Sequence, residues 1–281
     1  MSLRRSALLV LGCLVGSISY FVRAVRWRIL LSAEAKVGLG TVFWSNSAGY
    51  LANNFLPART GEVLRSAMIS ARSGLTKTYA LTTALSERFL DAFALMIIST
   101  AVLLTIPNKP AWLNTAARPF AAAAIGGGLT LVFLPRFHGL IDTIVSRLPF
   151  PEKLRHRLLE MAGQVMLGLR SLHHPARLAG FCSLTGLIWF LDAASSVILA
   201  RAISLPLGFP VALLMLTAIG LGSALPSTPG NVGIFQFATV SVLVPFGFSH
   251  TDALAIGLIS QAANYAVVAV WGLLAMWRYN H

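Results

Sequence analysis

Long apolar runs, each about as long as a bilayer is thick, constrain this sequence more than any other feature. The first covers about residues 6–31, and residues 6–22 within it carry no charge. A bilayer hydrocarbon core of about 30 Å needs about 20 apolar residues in a helix. Because lipid offers no hydrogen-bond partner to the backbone, such runs are predicted to be membrane-spanning helices. Composition agrees, since only 11% of the residues are charged, against about 25% in a typical soluble domain.

Five runs are long enough to cross the membrane, so the predicted fold is an all-α polytopic membrane protein in a single domain, residues 1–281. The runs cover about residues 6–31, 78–106, 118–134, 178–200 and 251–277. Two further apolar stretches, about residues 37–73 and 207–246, are each interrupted by a break that contains proline and glycine. The predicted break residues are Pro57, Gly61, Pro226, Pro229 and Gly230.

The distribution of Lys and Arg predicts the topology. Basic residues cluster at about 23–36, 59–77 and 135–178, and the positive-inside rule places such loops in the cytoplasm. The first broken stretch then enters and leaves on the cytoplasmic side, as a re-entrant hairpin. The second has no basic residue at either end, so it is predicted to enter from the outside. Two ordinary loops between spanning helices remain the alternative.

This topology places the C-terminus in the cytoplasm. It also places the basic start of the chain outside, against the positive-inside rule. A further helix before residue 1 would remove this conflict. The net charge of +13 is then explained by cytoplasmic loops and anionic lipid headgroups, and no nucleic-acid partner is expected. The segment 135–178 is predicted to be a basic cytoplasmic surface segment. The basic group Arg23, Arg26 and Arg28, with Trp27, is predicted to be an interfacial anchor.

The two breaks also indicate an internal repeat. Leu-Pro begins both "LPARTGEV" and "LPSTPGNV", and the segments that start at Gly74 and Gly247 align without gaps. Repeat one covers about residues 37–106 and repeat two about residues 207–277. In the predicted topology the copies run in opposite directions, which makes them an inverted repeat. Such repeats place a substrate site near the midplane, between broken helices.

Charged residues of repeat one align with neutral polar residues of repeat two: Glu87 with Ser260, Arg88 with Gln261 and Asp91 with Asn264. Charged groups inside a span are costly and usually functional. Arg88 is three residues before Asp91 and is predicted to pair with Glu87 or Asp91. That pairing would leave two arginines, Arg59 and Arg65, free to bind a lipid phosphate. A self-neutralising structural pair is the alternative.

Two further carboxylates need partners. Glu62 is predicted to pair with an arginine of the neighbouring helix. Asp192 is alone in its helix and is predicted to pair with Arg88 or with a polar group of the second break. The candidate substrate-binding residues are Asn54, Arg59, Glu62, Arg65, Glu87, Arg88, Asp91, Asp192, Asn231, Gln261 and Asn264.

The motifs around these residues resemble those of the transmembrane region of lysylphosphatidylglycerol synthases, which are flippase-like integral membrane proteins. The matching residues are Arg26 and Trp27; Asn53, Pro57, Arg59, Gly61, Glu62 and Arg65; Glu87, Arg88 and Asp91; and Pro226, Pro229, Gly230 and Gly233. The resemblance implies a member without the aminoacyl-transfer domain, in a bacterial or archaeal plasma membrane. It implies translocation of an anionic or aminoacylated phospholipid, or of a polyprenyl-phosphate-linked lipid.

Other functions remain open. The chain has no P-loop, HExxH or GxSxG motif, so no enzyme activity, cofactor or metal is expected. One alternative is a non-transporting partner subunit of a membrane glycosyl- or aminoacyl-transferase. Another is a membrane-embedded enzyme that acts on lipid phosphate. The expected partner is an anionic membrane lipid; a lipid-modifying transferase as a second partner and an oligomeric state are left open.

Overall fold

The computed structural model describes residues 3–56, 60–106, 170–223 and 229–280, and isolated residues between 115 and 160. All secondary structure in these ranges is helical. The α-helices are α1 (Leu3–Leu31), α2 (Leu39–Phe55), α3 (Thr60–Ser73), α4 (Lys77–Thr105), α5 (Pro175–Ala202), α6 (Phe209–Gly222), α7 (Ile234–Leu243) and α8 (His250–Asn280). Short 3-10 helices cover Arg170–His173, Pro229–Asn231 and Val244–Phe246.

Four of these helices, α1, α4, α5 and α8, are long and apolar enough to cross a membrane. They correspond to four of the five runs predicted from the sequence. The fifth run, 118–134, and most of the basic segment 135–178 lie outside the described residues, apart from isolated positions. The prediction of an all-helical, multi-pass membrane protein is confirmed.

Helices α1 and α5 form a long antiparallel pair. Near the start of α1, the Ser195 hydroxyl donates a hydrogen bond of 2.9 Å to the carbonyl of Gly12. Near the end of α1, Arg26 donates one of 3.0 Å to Thr185. The absence of a side chain at Gly12 allows this contact, because a Cβ there would lie 2.7 Å from Leu199. The start of α1 therefore lies beside the end of α5.

Helices α2 and α3 pack against each other as an antiparallel hairpin. The first of the two predicted breaks lies between them, between Phe55 and Thr60. A Cβ on Gly49 would lie 2.8 Å from the carbonyl of Gly61. Further from the break, Arg65 donates to Asn46 at 2.7 Å. The side chain of Asn53 accepts a hydrogen bond of 2.9 Å from the backbone N–H of Gly61. Of the predicted break residues, Gly61 lies at this close helix contact, whereas Pro57 is outside the described residues.

We expect Gly61→Ala to destabilise the protein by about 1–3 kcal/mol, which is typical for overpacking. The new Cβ would collide with the backbone carbonyl of Gly49 and would lie 2.5 Å from the side-chain oxygen of Asn53. Thermal unfolding in detergent measures the effect. Gly40→Ala is the matched control, because Gly40 is also the second residue of its helix and no atom lies within 4 Å of the added Cβ. Equal unfolding temperatures for the two variants would contradict the close packing of α2 on α3.

Helices α6 and α7 form the second antiparallel hairpin, in which a Cβ on Gly222 would lie 2.9 Å from Ile234. The second break lies between them. Pro226 is outside the described residues, and Pro229 begins the 3-10 turn Pro229–Asn231. Just after the break, the backbone takes left-handed conformations at Gly230 (φ 71°), Asn231 (φ 56°) and Gly233 (φ 89°). Glycine is the residue that accepts such angles without steric cost.

The two predicted repeats have the same order of elements: a short helix, a break, a second short helix and a long helix. Aligned glycines precede the long helices in left-handed conformations, Gly74 at φ 71° and Gly247 at φ 93°. At aligned positions, Thr76 caps α4 by accepting from the N–H of Tyr79 at 3.2 Å. Ser249 likewise accepts from the N–H of Asp252 at 3.0 Å. These local features support the repeat, which stays a prediction.

Packing between the copies supports an inverted relation. Helix α2 of repeat one packs on α8 of repeat two, where a Cβ on Gly272 would lie 2.5 Å from Leu51. Helix α6 of repeat two packs on α4 of repeat one, where Ser99 donates to Thr217 at 2.7 Å. Each copy thus lays its first short helix against the other copy's long helix. The antiparallel helices α1 and α5 precede the copies, and a two-fold axis that relates antiparallel helices runs perpendicular to them.

Candidate functional site

Six charged side chains from α1, α3 and α4 form a buried ion-pair cluster. The fully buried guanidinium of Arg26 contacts Glu87 at 3.0 Å and Asp91 at 2.5 Å. Arg65, also buried, donates to Glu62 at 2.6 Å and to Glu87 at 2.9 Å. The cluster consists of Arg26, Glu62, Arg65, Glu87, Arg88 and Asp91, so three arginines balance three carboxylates. The cluster carries no net charge.

The interfacial anchor predicted at Arg26 and Trp27 is wrong. Both side chains are fully buried, and the indole N–H of Trp27 donates to Thr83 at 3.1 Å. Burial is possible because the carboxylates of α4 compensate the charge of Arg26. Sequence reasoning therefore missed Arg26 as a member of the cluster. The available signal was two carboxylates one turn apart on α4, which require a cation.

The predicted pairing of Arg88 with Asp91 or Glu87 is also wrong. Arg88 donates instead to Glu62 at 2.8 Å, which confirms that Glu62 pairs with an arginine of the neighbouring helix. Glu87 and Asp91 are held by Arg26. Arg65 is not free for a phosphate, since it is buried among Glu62, Glu87 and Asn46. Arg59 lies outside the described residues.

A cavity of about 230 Å³ lies where the two breaks meet. The carbonyl of Asn54, beside the first break, lies 3.3 Å from the position of a Cβ on Gly230, just after the second break. Of the described candidate residues, the cavity brings together Asn54, Asp192, Asn231, Gln261 and Asn264. The other described candidates, Glu62, Arg65, Glu87, Arg88 and Asp91, belong to the ion-pair cluster and do not line the cavity. The neutral repeat therefore supplies more of the cavity wall than the charged one.

One ion pair lines the cavity, and it joins α1 to α5. Arg23 donates to Asp192 at 2.6 Å, and the two side chains are 13% and 20% exposed. The predicted partners of Asp192, Arg88 or a polar group of the second break, are therefore wrong. The guanidinium of Arg23 also lies 5.6 Å from the centre of the Trp189 ring. Arg23 is a cavity residue that sequence reasoning had assigned to the interfacial anchor.

Neutral side chains from α8 hold the second break in place. Gln261 donates at 3.1 Å and Tyr265 at 2.5 Å to the carbonyl of Gly230. Tyr20 of α1 donates to Asn264 of α8 at 2.6 Å, and both residues line the cavity. These residues connect the cavity to helices that are long enough to span the membrane.

Two polar atoms of cavity-lining residues have no hydrogen-bond partner among the described residues: the hydroxyl of Ser260 and the indole N–H of Trp189. Both residues are only 8% exposed. Buried polar groups in native proteins nearly always have a partner, so these two groups are exceptions among the described residues. Within the part of the chain that the structure describes, no group of three or more His, Cys, Asp or Glu side chains could hold a metal ion.

Membrane-length helices around a cavity with both polar and apolar lining residues define a polytopic helical membrane protein with an internal cavity. The chain belongs to the family of the lysylphosphatidylglycerol synthase transmembrane region, whose family model matches residues 2–272. The resemblance inferred from the sequence motifs is thereby confirmed, and the family supports a function related to membrane lipids. Comparison with curated proteins found no match, and comparison with solved structures found none either.

Proposed function

We propose that this protein is a lipid translocase, which passes a polar headgroup through the cavity between the two breaks while the acyl chains stay in the bilayer. The observation that carries the proposal is the cavity at the meeting point of the breaks, whose wall includes Arg23, Asp192 and Asn264. Irregular backbone at membrane depth is tolerated where it is buried in protein or lines a polar cavity. In transporters with inverted repeats, broken helices of this kind form the substrate site.

The depth and the size of the cavity support a headgroup as its ligand. Tyr20 and Asn264, which line it, are near the middles of α1 (Leu3–Leu31) and α8 (His250–Asn280). A cavity of about 230 Å³ has room for a small polar headgroup, while the acyl chains would stay outside in lipid.

The charges at the two ends of the bundle support a cytoplasmic C-terminus, and a bacterial or archaeal plasma membrane is proposed from the family alone. The end of α8 lies beside the end of α3, where Arg72 stacks on Tyr279 at 4.5 Å. The described basic residues at this end include Arg28, Lys36, Arg72, Lys77, Arg177 and Arg278. The opposite end has Arg4, Arg5 and Arg201. The positive-inside rule then assigns the first end to the cytoplasm.

The geometry gives less support to a lipid-phosphate enzyme. A carboxylate that acts as a nucleophile or general base must be available to react. The carboxylates of Glu62, Glu87, Asp91 and Asp192 are each paired with an arginine at 3.0 Å or less. A non-transporting partner subunit remains the alternative that the transport experiment decides.

A headgroup-accessibility assay in proteoliposomes tests the proposal with fluorescent phospholipid and polyprenyl-phosphate probes. We expect the wild type to expose inner-leaflet probe to a membrane-impermeant quencher. We expect Arg23→Gln to slow this by about tenfold or more, because a hydrogen bond from a charged group contributes about 1.5–3 kcal/mol. Asn264→Leu should slow it as well, since it places an apolar side chain in the cavity wall.

Arg201→Gln is the matched control, because it removes the same charge outside the cavity. Arg201 is exposed at the end of α5. This variant should transport at the wild-type rate. If the folded wild type moves none of the probes, the translocase proposal fails and the partner-subunit alternative gains. If Arg23→Gln and Asn264→Leu both transport like the wild type, the cavity is not the route.

A further inference from the structure

We propose that the cavity selects a zwitterionic headgroup, one that carries a phosphate and an ammonium together, over a purely anionic headgroup of the same size. This inference rests on the proposed function and names the substrate class of the same site. It starts from the charges of the cavity wall. Among the described lining residues, Arg23 and Asp192 are the only charged ones, and they compensate each other at 2.6 Å.

The nearby ion-pair cluster supplies no extra positive charge to the site. Its three arginines are balanced by three carboxylates, and its most exposed arginine, Arg88, has a side chain only 33% exposed and bound to Glu62. The described part of the cavity is therefore electrically neutral, with one cation and one anion side by side.

A neutral site of this kind discriminates between headgroups. A purely anionic phosphodiester that binds Arg23 must draw the guanidinium away from Asp192 and then faces an uncompensated carboxylate. Repulsion between two such charges is strong where water is scarce. A zwitterion avoids this cost, because its phosphate binds Arg23 while its ammonium binds Asp192. The ion pair between Arg23 and Asp192 is then replaced by two ion pairs with the lipid, and no buried charge is left without a partner.

Native mass spectrometry of the full chain in nanodiscs tests the selection with two lipids of identical acyl chains, phosphatidylethanolamine and phosphatidylglycerol. We expect the wild type to retain the zwitterionic lipid about tenfold more strongly, the ratio that about 1.4 kcal/mol corresponds to. Asp192→Asn should remove or reverse this preference, because the carboxylate that repels the anion and binds the ammonium is gone. Asp252→Asn is the control, since Asp252 lies in the first turn of α8 outside the cavity, where its carboxylate accepts from Ser249 at 2.7 Å, and it should keep the wild-type preference.

The double variant Arg23→Gln with Asp192→Asn guards against misfolding, because it keeps the cavity neutral. It should fold and lose retention of both lipids. If the wild type prefers phosphatidylglycerol, or if Asp192→Asn leaves the ratio unchanged, the zwitterion inference is overturned while the translocase proposal stands. If the double variant retains both lipids like the wild type, the cavity binds no headgroup, and both fail.

Discussion

Replacing Arg26 by glutamine should cost about 3–5 kcal/mol of stability, the usual effect of removing one partner from a buried ion pair. The substitution removes the guanidinium that contacts Glu87 at 3.0 Å and Asp91 at 2.5 Å. Both carboxylates then remain buried without the cation that they share. Glutamine cannot supply the charge, although it fills part of the space. Thermal unfolding in detergent, read by loss of the monodisperse chromatographic peak, measures the effect.

Arg28→Gln is the matched control for this prediction. Arg28 lies two residues later on α1, is exposed and donates one hydrogen bond of 2.8 Å to the carbonyl of Val37. Its loss should cost about 1 kcal/mol. Adding Asp91→Asn to Arg26→Gln should restore part of the stability, because one uncompensated carboxylate is then removed. A stable Arg26→Gln variant would show that the cluster does not hold α1 to α4.

Gly230→Ala should produce the largest effect in the second repeat, for two physical reasons. The backbone at Gly230 has a φ of 71°, and an added Cβ would collide with the hydroxyl of Tyr265. Strain at a left-handed position costs about 1–3 kcal/mol, and overpacking typically costs about 1–3 kcal/mol more. The measurements are the unfolding temperature in detergent and the rate of headgroup translocation, both of which should fall.

Gly233→Ala separates the two causes. Gly233 has a φ of 89°, but no atom lies within 4 Å of a Cβ placed there, so this variant has the strain without the collision. We expect it to be destabilised less than Gly230→Ala. Combining Gly230→Ala with Tyr265→Phe removes the colliding hydroxyl and should recover part of the difference, as a double-mutant cycle would quantify. Equal losses at Gly230 and Gly233 would mean that the contact between the second break and α8 is not tight.

The sequence alone predicted the helical membrane fold, because backbone hydrogen bonding in lipid leaves few structures for a run of 20 apolar residues. It also located both breaks, since proline and glycine act locally. The pairing of Glu62 with an arginine of the next helix was predictable for the same reason, because α3 and α4 are consecutive. Membership of the family followed from the short motifs around those residues.

Only the tertiary structure decided how the charges are distributed. Arg26 pairs with Asp91 across 65 residues of chain, and Arg23 pairs with Asp192 across 169, distances at which spacing along one helix carries no information. Because α1 packs antiparallel on α5, one face of α1 meets the carboxylates of α4 and α5 together. The charged residues of repeat one therefore form a buried cluster without net charge. Most of the cavity wall comes instead from repeat two. Which arginine binds a ligand depends on which carboxylates are within reach, and only the packing of helices distant in sequence sets that.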